Sequence, residues 1–130
     1  EAGGYWKGRT VDILSFKKVS PGLSGGISWP GTLAGMAGAA LLAGVTSWAF
    51  GLGTGLFLAI GAAGVAGMLL DSVLGSVLQR KYQLPGGTIV EEAQPGAVLI
   101  KGKNWCSNDM VNILSTAITT ALFVALAYCC

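Results

Sequence analysis

Three long apolar runs dominate the chain, and one polar run separates the second from the third. The first is Thr32–Phe50, TLAGMAGAALLAGVTSWAF. It carries no charge, and its 19 residues approach the ~20 that cross a hydrocarbon core ~30 Å thick. Pro30 and Gly31 precede it, as at a helix start. Gly31, Gly35 and Ala39 recur at four-residue spacing and give a small-residue face for close helix packing. After the uncharged turn Gly51–Gly55, GLGTG, a second helix is predicted over 54–79. Its first half is apolar and small, and its second half holds Asp71. A third helix is predicted over 109–128.

The polar run at 80–108 reads RKYQLPGGTIVEEAQPGAVLIKGKNWCSN. Gly86-Gly87 and Pro95-Gly96 are turn signals that bracket TIVEE and precede AVLIK, the pattern of a short β-hairpin. Residues 1–30 are polar and irregular. A short strand or interfacial segment is expected at Val11–Phe16, with Tyr5 and Trp6 suited to the headgroup level. The predicted fold is an all-α membrane protein of about three transmembrane helices with small-residue packing. It forms a single integral membrane domain over 1–130, with a polar cytoplasmic loop region that holds the hairpin.

Composition agrees with this reading. Charged residues are 11% of the chain, where soluble domains carry about 25%. Mean hydropathy is +0.64. Charge placement then sets an orientation. All 8 basic residues (Lys7, Arg9, Lys17, Lys18, Arg80, Lys81, Lys101 and Lys103) fall in 1–30 or 80–103. If the first helix leaves that side and the second returns to it, every basic residue lies on one face of the membrane. The positive-inside rule makes that face cytoplasmic. Basic residues so placed read as membrane-side anchors, which disfavours nucleic-acid binding. The 3 cysteines, Cys106, Cys129 and Cys130, form no C-x-x-C pair and read as free thiols. The chain starts at Glu1 without Met and shows no signal peptide. It is therefore expected to be a piece of a longer membrane protein.

Candidate chemistry starts at Asp71. A carboxylate inside a membrane span is costly and marks function by default. Asp71, Gly75 and Gln79 share one helix face at four-residue spacing, flanked by Ser72 and Ser76. The alternative is a carboxyl that only bonds a neighbouring helix. On the third helix Asn108, Asp109, Asn112, Ser115, Thr116 and Thr119 form a matching polar face. Asp109 also stands where a carboxylate caps a helix. Carboxylate and amide oxygens from the two helices are hard ligands suited to Mg²⁺.

The loop FKKVSPGLSGGISWPGT, Phe16–Thr32, feeds the first helix. It offers backbone N–H groups, the Ser20 and Ser24 hydroxyls, and the Lys17 and Lys18 charges, which together make an anion site. It is not a Walker A loop, since no Gly-Lys-Ser/Thr ends it. The alternative is an interfacial loop whose lysines face headgroups. Gly22–Gly26 matches G-x-S-x-G, but the chain has no histidine to activate the serine.

The segments FKKVSPGLSGGISWPGTLAG, DSVLGSVLQRKY and NDMVNILST, taken together, resemble the integral membrane family known as domain of unknown function 92. That family includes transmembrane protein 19 and the plant phytyl-phosphate kinase. The resemblance covers nearly the whole chain. Its loop pattern, K-V-P-x-G-T-N-G-G, aligns with Lys18, Val19, Pro21, Gly22, Gly25 and Gly26, but Ser24 stands where Asn is common. In the third segment Ser107 stands where Asp is common, while Asn108, Asp109 and Asn112 fit. The family's Asp-Thr-x-x-Ser-Glu motif lies just upstream. Glu1 is its expected last residue, so preceding helices of the same chain are expected as partners.

The resemblance implies a kinase that uses CTP to convert a polyprenyl (phytyl-type) monophosphate to the diphosphate. In that reading Asp71, Asp109 and Lys18 are catalytic. Lys17, Lys18, Ser20, Gly22, Ser24, Gly25 and Gly26 hold phosphate, and Asp71, Asp109, Asn112 and Asn108 hold Mg²⁺. The partners are the lipid bilayer, nucleotide and prenyl phosphate, with a homo-oligomer left open. Two other readings stand beside it. One is a transporter or channel subunit with Asp71 as its ion site, against which the apolar stretches Leu56–Leu70 and Leu122–Ala127 count. The other is a structural assembly protein, in which Asp71→Asn is tolerated.

Overall fold

A computed structural model describes residues 9–129. Glu1, Tyr5, Trp6 and Lys7, which carry expectations above, lie outside the described residues, as does Cys130. The described order is β1 (Val11–Asp12), β2 (Gly26–Ile27), α1 (Trp29–Phe50), α2 (Thr54–Val77), β3 (Lys81–Gln83), β4 (Ile89–Val90), β5 (Val98–Lys101) and α3 (Asn108–Cys129).

Each helix starts and stops for a local reason. α1 begins three residues before the predicted Thr32, because Ser28 caps it. The Ser28 Oγ accepts from the Gly31 N–H at 3.3 Å, and Pro30 sits in the first turn, where its missing N–H costs nothing. Gly51 ends α1 in the left-handed region, φ 63°, with its N–H turned back to the last carbonyls. α2 stops at Val77, two residues short of the predicted Gln79. Other segments take the backbone groups a longer helix would use: Lys103 N–H donates to the Leu78 carbonyl (2.8 Å) and Arg80 N–H to the Cys106 carbonyl (3.0 Å). Ser107 opens α3, its Oγ accepting from the Met110 N–H at 3.4 Å. At 22, 24 and 22 residues the helices run about 33–36 Å, enough to cross a bilayer.

α2 lies between α1 and α3. Two members of the predicted small-residue row of α1 contact α2, Gly35 against Met68 and Ala39 against Gly64, and the fully buried Ala43, one turn further on, meets Gly61. On its other side Gly67 faces Thr119 of α3. Little else of the helices is buried. Leu33, Leu41, Leu42, Val45, Leu56, Leu58, Leu122 and Leu126 all point outward, onto surface that a bilayer covers. Exposed aromatics mark both ends: Trp29 and Trp105 at the basic end, Trp48, Phe50 and Tyr128 at the other. The three helices and their small-residue contacts agree with the predicted all-α membrane fold.

The basic end carries two small antiparallel sheets. β1 pairs β2, Val11 with Ile27 and Asp12 with Gly26. The second sheet has the order β4-β3-β5. The hairpin expected from TIVEE and AVLIK is therefore corrected in its pairing. Those segments do not pair with each other; each pairs with β3, which lies between them. β3 is only Lys81-Tyr82-Gln83, too short and too polar to show a strand period.

Candidate functional site

β1 and β2 bring the glycine-rich loop against the basic end of α2. The approach is close enough to demand glycine on both sides. Gly25 has φ +81°, and a Cβ there would stand 2.6 Å from the N, Cα and Cβ of Ser76. A Cβ on Gly75 would stand 3.0 Å from Gly25 N and 3.2 Å from Ser24 Cβ.

Ser24 is the node of this junction. Its N–H donates to Glu91 Oε1 at 2.6 Å, its carbonyl accepts from Lys81 Nζ at 2.6 Å, and its Oγ lies 3.5 Å from Asn108 Oδ1. The second Glu91 oxygen accepts from Gln79 Nε2 at 2.8 Å. Gln79 Oε1 is buried and has no partner among the described residues.

Next to the node sits a buried carboxylate. Asp12 Oδ2 accepts from Ser76 Oγ at 2.6 Å, and Oδ1 accepts from the N–H and Oγ of Ser15, both at 2.9 Å. Lys101 Nζ lies 3.4 Å from Ser76 Oγ and 3.9 Å from Asp12 Oδ2. Burial pushes the Asp12 carboxyl up. The hydrogen bonds from Ser76 and Ser15, with the Lys101 charge, outweigh burial and hold it well below the usual carboxylate range. Burial and then the Lys101 charge push the Lys81 ammonium below its ordinary value, partly offset by Asp12 and Glu91. A bulge sets the two lysines side by side. Tyr82 pairs with Leu99, yet Lys81 pairs with Lys101, so one extra residue of β5 re-aims its end.

The sequence-predicted residues divide between this junction and its surroundings. Ser24, Gly25 and Gly26 lie in it, and Asn108 touches it. Gly22 and Ser20 are exposed on the loop. Lys17 and Lys18 lie on the other arm, where the Lys17 carbonyl accepts from Asp12 N–H and Lys18 bridges Val11. Their side chains are exposed and form no ion pair among the described residues. The ammonium bound to the loop is that of Lys81. Asp71 lies six residues inside the end of α2, about 9 Å of rise. Its Oδ1 is 3.0 Å from Ser115 Oγ, which is also 3.1 Å from the Asn112 carbonyl. Asp109 and Asn112 are exposed on the first turns of α3.

Among the described residues no three Cys, Asp or Glu side chains gather as a metal site. Asp109 precedes Ser115, the partner of Asp71, by about 9 Å of helix rise. The donors are hard oxygens throughout, and Mg²⁺ commonly takes one or two carboxylates and completes its shell with phosphate and water. The predicted ligands are thus of the kind Mg²⁺ takes but do not gather: Asp109 stands nearly two turns of α3 from the Asp71–Ser115 contact, so the four do not surround one ion.

Sequence reasoning missed Asp12, Lys81, Glu91 and Lys101. The one available signal was the Asp71–Gly75–Gln79 face, whose last two members lie at the junction.

Protein PGR of Arabidopsis thaliana is 32% identical over 123 residues, covering 85% of this chain and 42% of that protein. The chain thus spans less than half the length of the curated relative it matches. No solved structure matches it significantly. The family described as integral membrane protein DUF92 matches residues 1–120, nearly the whole of the described helices and both sheets, and the chain belongs to that family.

Proposed function

We propose that the protein is a membrane-embedded kinase that moves the γ-phosphoryl group of CTP onto a polyprenyl, phytyl-type, monophosphate. A terminal oxygen of the prenyl phosphate forms the new P–O bond, the β–γ bridge of CTP breaks, and CDP leaves with the bridging oxygen. The observation that carries this reading is the junction itself. A glycine-rich loop, two lysines and a buried carboxylate meet at the membrane end of α2, and the intramembrane Asp71 lies four residues before Gly75, about 6 Å of rise. A water-soluble nucleotide reaches such a place from the polar side, and a prenyl chain reaches it from the bilayer.

Phosphoryl transfer needs positioning and charge more than a strong base. The loop Lys17–Gly26 supplies N–H groups and hydroxyls. Lys81 and Lys101 offset phosphate charge inside the junction, and Lys17 and Lys18 draw the anion toward it. Asp71 on α2, or Asp109 with Asn108 and Asn112 on α3, would give Mg²⁺ one carboxylate, with phosphate and water completing its shell, and the ion when bound neutralises the transferring group. Asp71 orients the acceptor end.

The Ser115–Asp71 hydrogen bond also favours a second reading, in which Asp71 only joins α2 to α3. Full-length protein in detergent with Mg²⁺, γ-labelled CTP and a panel of prenyl monophosphates separates the two. Labelled diphosphate from the wild type, reduced at least 100-fold in a folded Asp71→Asn variant, is the expected result. Equal transfer by both proteins would return Asp71 to packing, and no transfer by either would move the weight to transport or assembly.

A further inference from the structure

The Glu91 carboxylate occupies the anion position of the loop. Its two oxygens take the Ser24 N–H and the Gln79 amide N–H at 2.6 and 2.8 Å, and Lys81 Nζ is held 2.6 Å from the carbonyl of the same Ser24. A backbone N–H and an amide N–H that converge on two oxygens, with an ammonium bound to the carbonyl beside them, are groups of the kind that hold a phosphoryl oxygen pair. Gln79 is 1% exposed and its Oε1 has no partner among the described residues, so the Nε2–Glu91 bond is the side chain's one hydrogen bond there. The place of Glu91 in the chain allows it to leave. It follows β4 directly, at the start of the irregular connection to β5, and its side chain is only part-buried. The neighbouring Glu92 is tied to Arg80 at the surface, and the β3–β5 pairing does not depend on Glu91.

We propose that Ser24 N–H, Gln79 and Lys81 form a phosphate seat, and that Glu91 is its built-in competitor, displaced when a ligand phosphate enters. The identity of that phosphate as part of CTP or of the prenyl acceptor rests on the kinase reading; the seat does not. The charges facing it are consistent. With Glu91 in place, Lys81 and Lys101 balance Glu91 and Asp12. With Glu91 displaced, the junction gains one positive charge, which an entering phosphate takes up.

The test is pyrophosphate binding to the full-length protein in detergent, measured calorimetrically without divalent cation, so that loss of a metal ligand cannot imitate the effect. Glu91→Gln removes the competing charge, and the new amide still accepts from Ser24. It is expected to tighten pyrophosphate about tenfold, and Lys81→Met in that background to weaken it at least tenfold, with unfolding temperatures reporting that both fold. A parallel titration with geranyl monophosphate distinguishes the source. Tightening for pyrophosphate assigns the seat to the nucleotide, and tightening for geranyl monophosphate alone assigns it to the acceptor. Binding by Glu91→Gln that is equal to or weaker than wild type for both ligands, or undetectable throughout, overturns the seat. Tightened binding without prenyl-phosphate transfer leaves the seat and removes the kinase. Transfer with binding unchanged by Glu91→Gln does the reverse.

Discussion

Asp12 shows how much one side chain contributes at the junction. It is 4% exposed and holds Ser76 of α2 and Ser15 of its own turn. Asp12→Ala leaves the Ser76 and Ser15 donors without their acceptor. Hydrogen bonds to charged groups contribute about 1.5–3 kcal/mol, so a loss of about 2–3 kcal/mol is expected in denaturant unfolding. The sign of the pH effect follows from the depressed carboxyl. The stabilisation is complete above the unfolded-state value, about pH 4, and is lost as pH falls from there through the lower folded value. The stability difference between wild type and Asp12→Asn should therefore be constant from pH 5 to 7 and shrink below pH 4. Legibility divided at this scale. Asp71 stood out because a carboxylate in an apolar run has few innocent explanations. Asp12, Lys81, Glu91 and Lys101 lie in polar segments, where a charge ordinarily faces water. The contacts that collect them, Ser24 with Lys81 and with Glu91, span 57 and 67 positions and leave no local period.

Among the elements, the helices were legible because their apolar runs match membrane thickness, and the Gly35–Ala39 row was legible because small residues at four-residue spacing face one neighbour. Their ends were less so. Ser28 and Ser107 act as caps, and the Lys103–Cys106 segment ends α2 through backbone bonds that no local pattern announces. The same contacts separate two glycines of similar appearance. A Cβ at Gly64 would stand 2.9 Å from the Ala39 Cβ, whereas at Gly38 nothing lies within 4 Å. Gly64→Val is expected to force α1 from α2 and cost about 1–3 kcal/mol. Gly38→Ala is expected to be neutral or to stabilise by up to about 1 kcal/mol, because alanine is the better helix former. Thermal melting of the two variants in one detergent checks the contrast.

At the scale of the whole molecule, every described basic residue lies at one end, between exposed aromatics and the two sheets, and the turn at Gly51–Gly53 carries no charge. This polarity was legible from charge placement alone. The assembly of the loop, the α2 end and the sheet into one junction was not, because the β5 bulge and the Gly25–Ser76 approach appear only in three dimensions. The positive-inside rule predicts that the junction faces the cytoplasm. In a protein with Cys129 and Cys130 replaced by serine, a maleimide that cannot cross membranes should label a cysteine introduced at the exposed Gln94 only when the cytoplasmic face is open to it; labelling from the opposite face would reverse the orientation.

The central claim is that this junction handles the phosphate of a kinase reaction. Its most direct test is γ-labelled CTP transfer to phytyl monophosphate by the full-length protein, with Lys81→Met beside Lys103→Met, which alters an exposed cation outside the junction. The account predicts labelled phytyl diphosphate from the wild type and Lys103→Met, and at least a 100-fold loss in Lys81→Met. Absence of labelled product from the wild type, or a Lys81→Met rate equal to that of Lys103→Met, would contradict it.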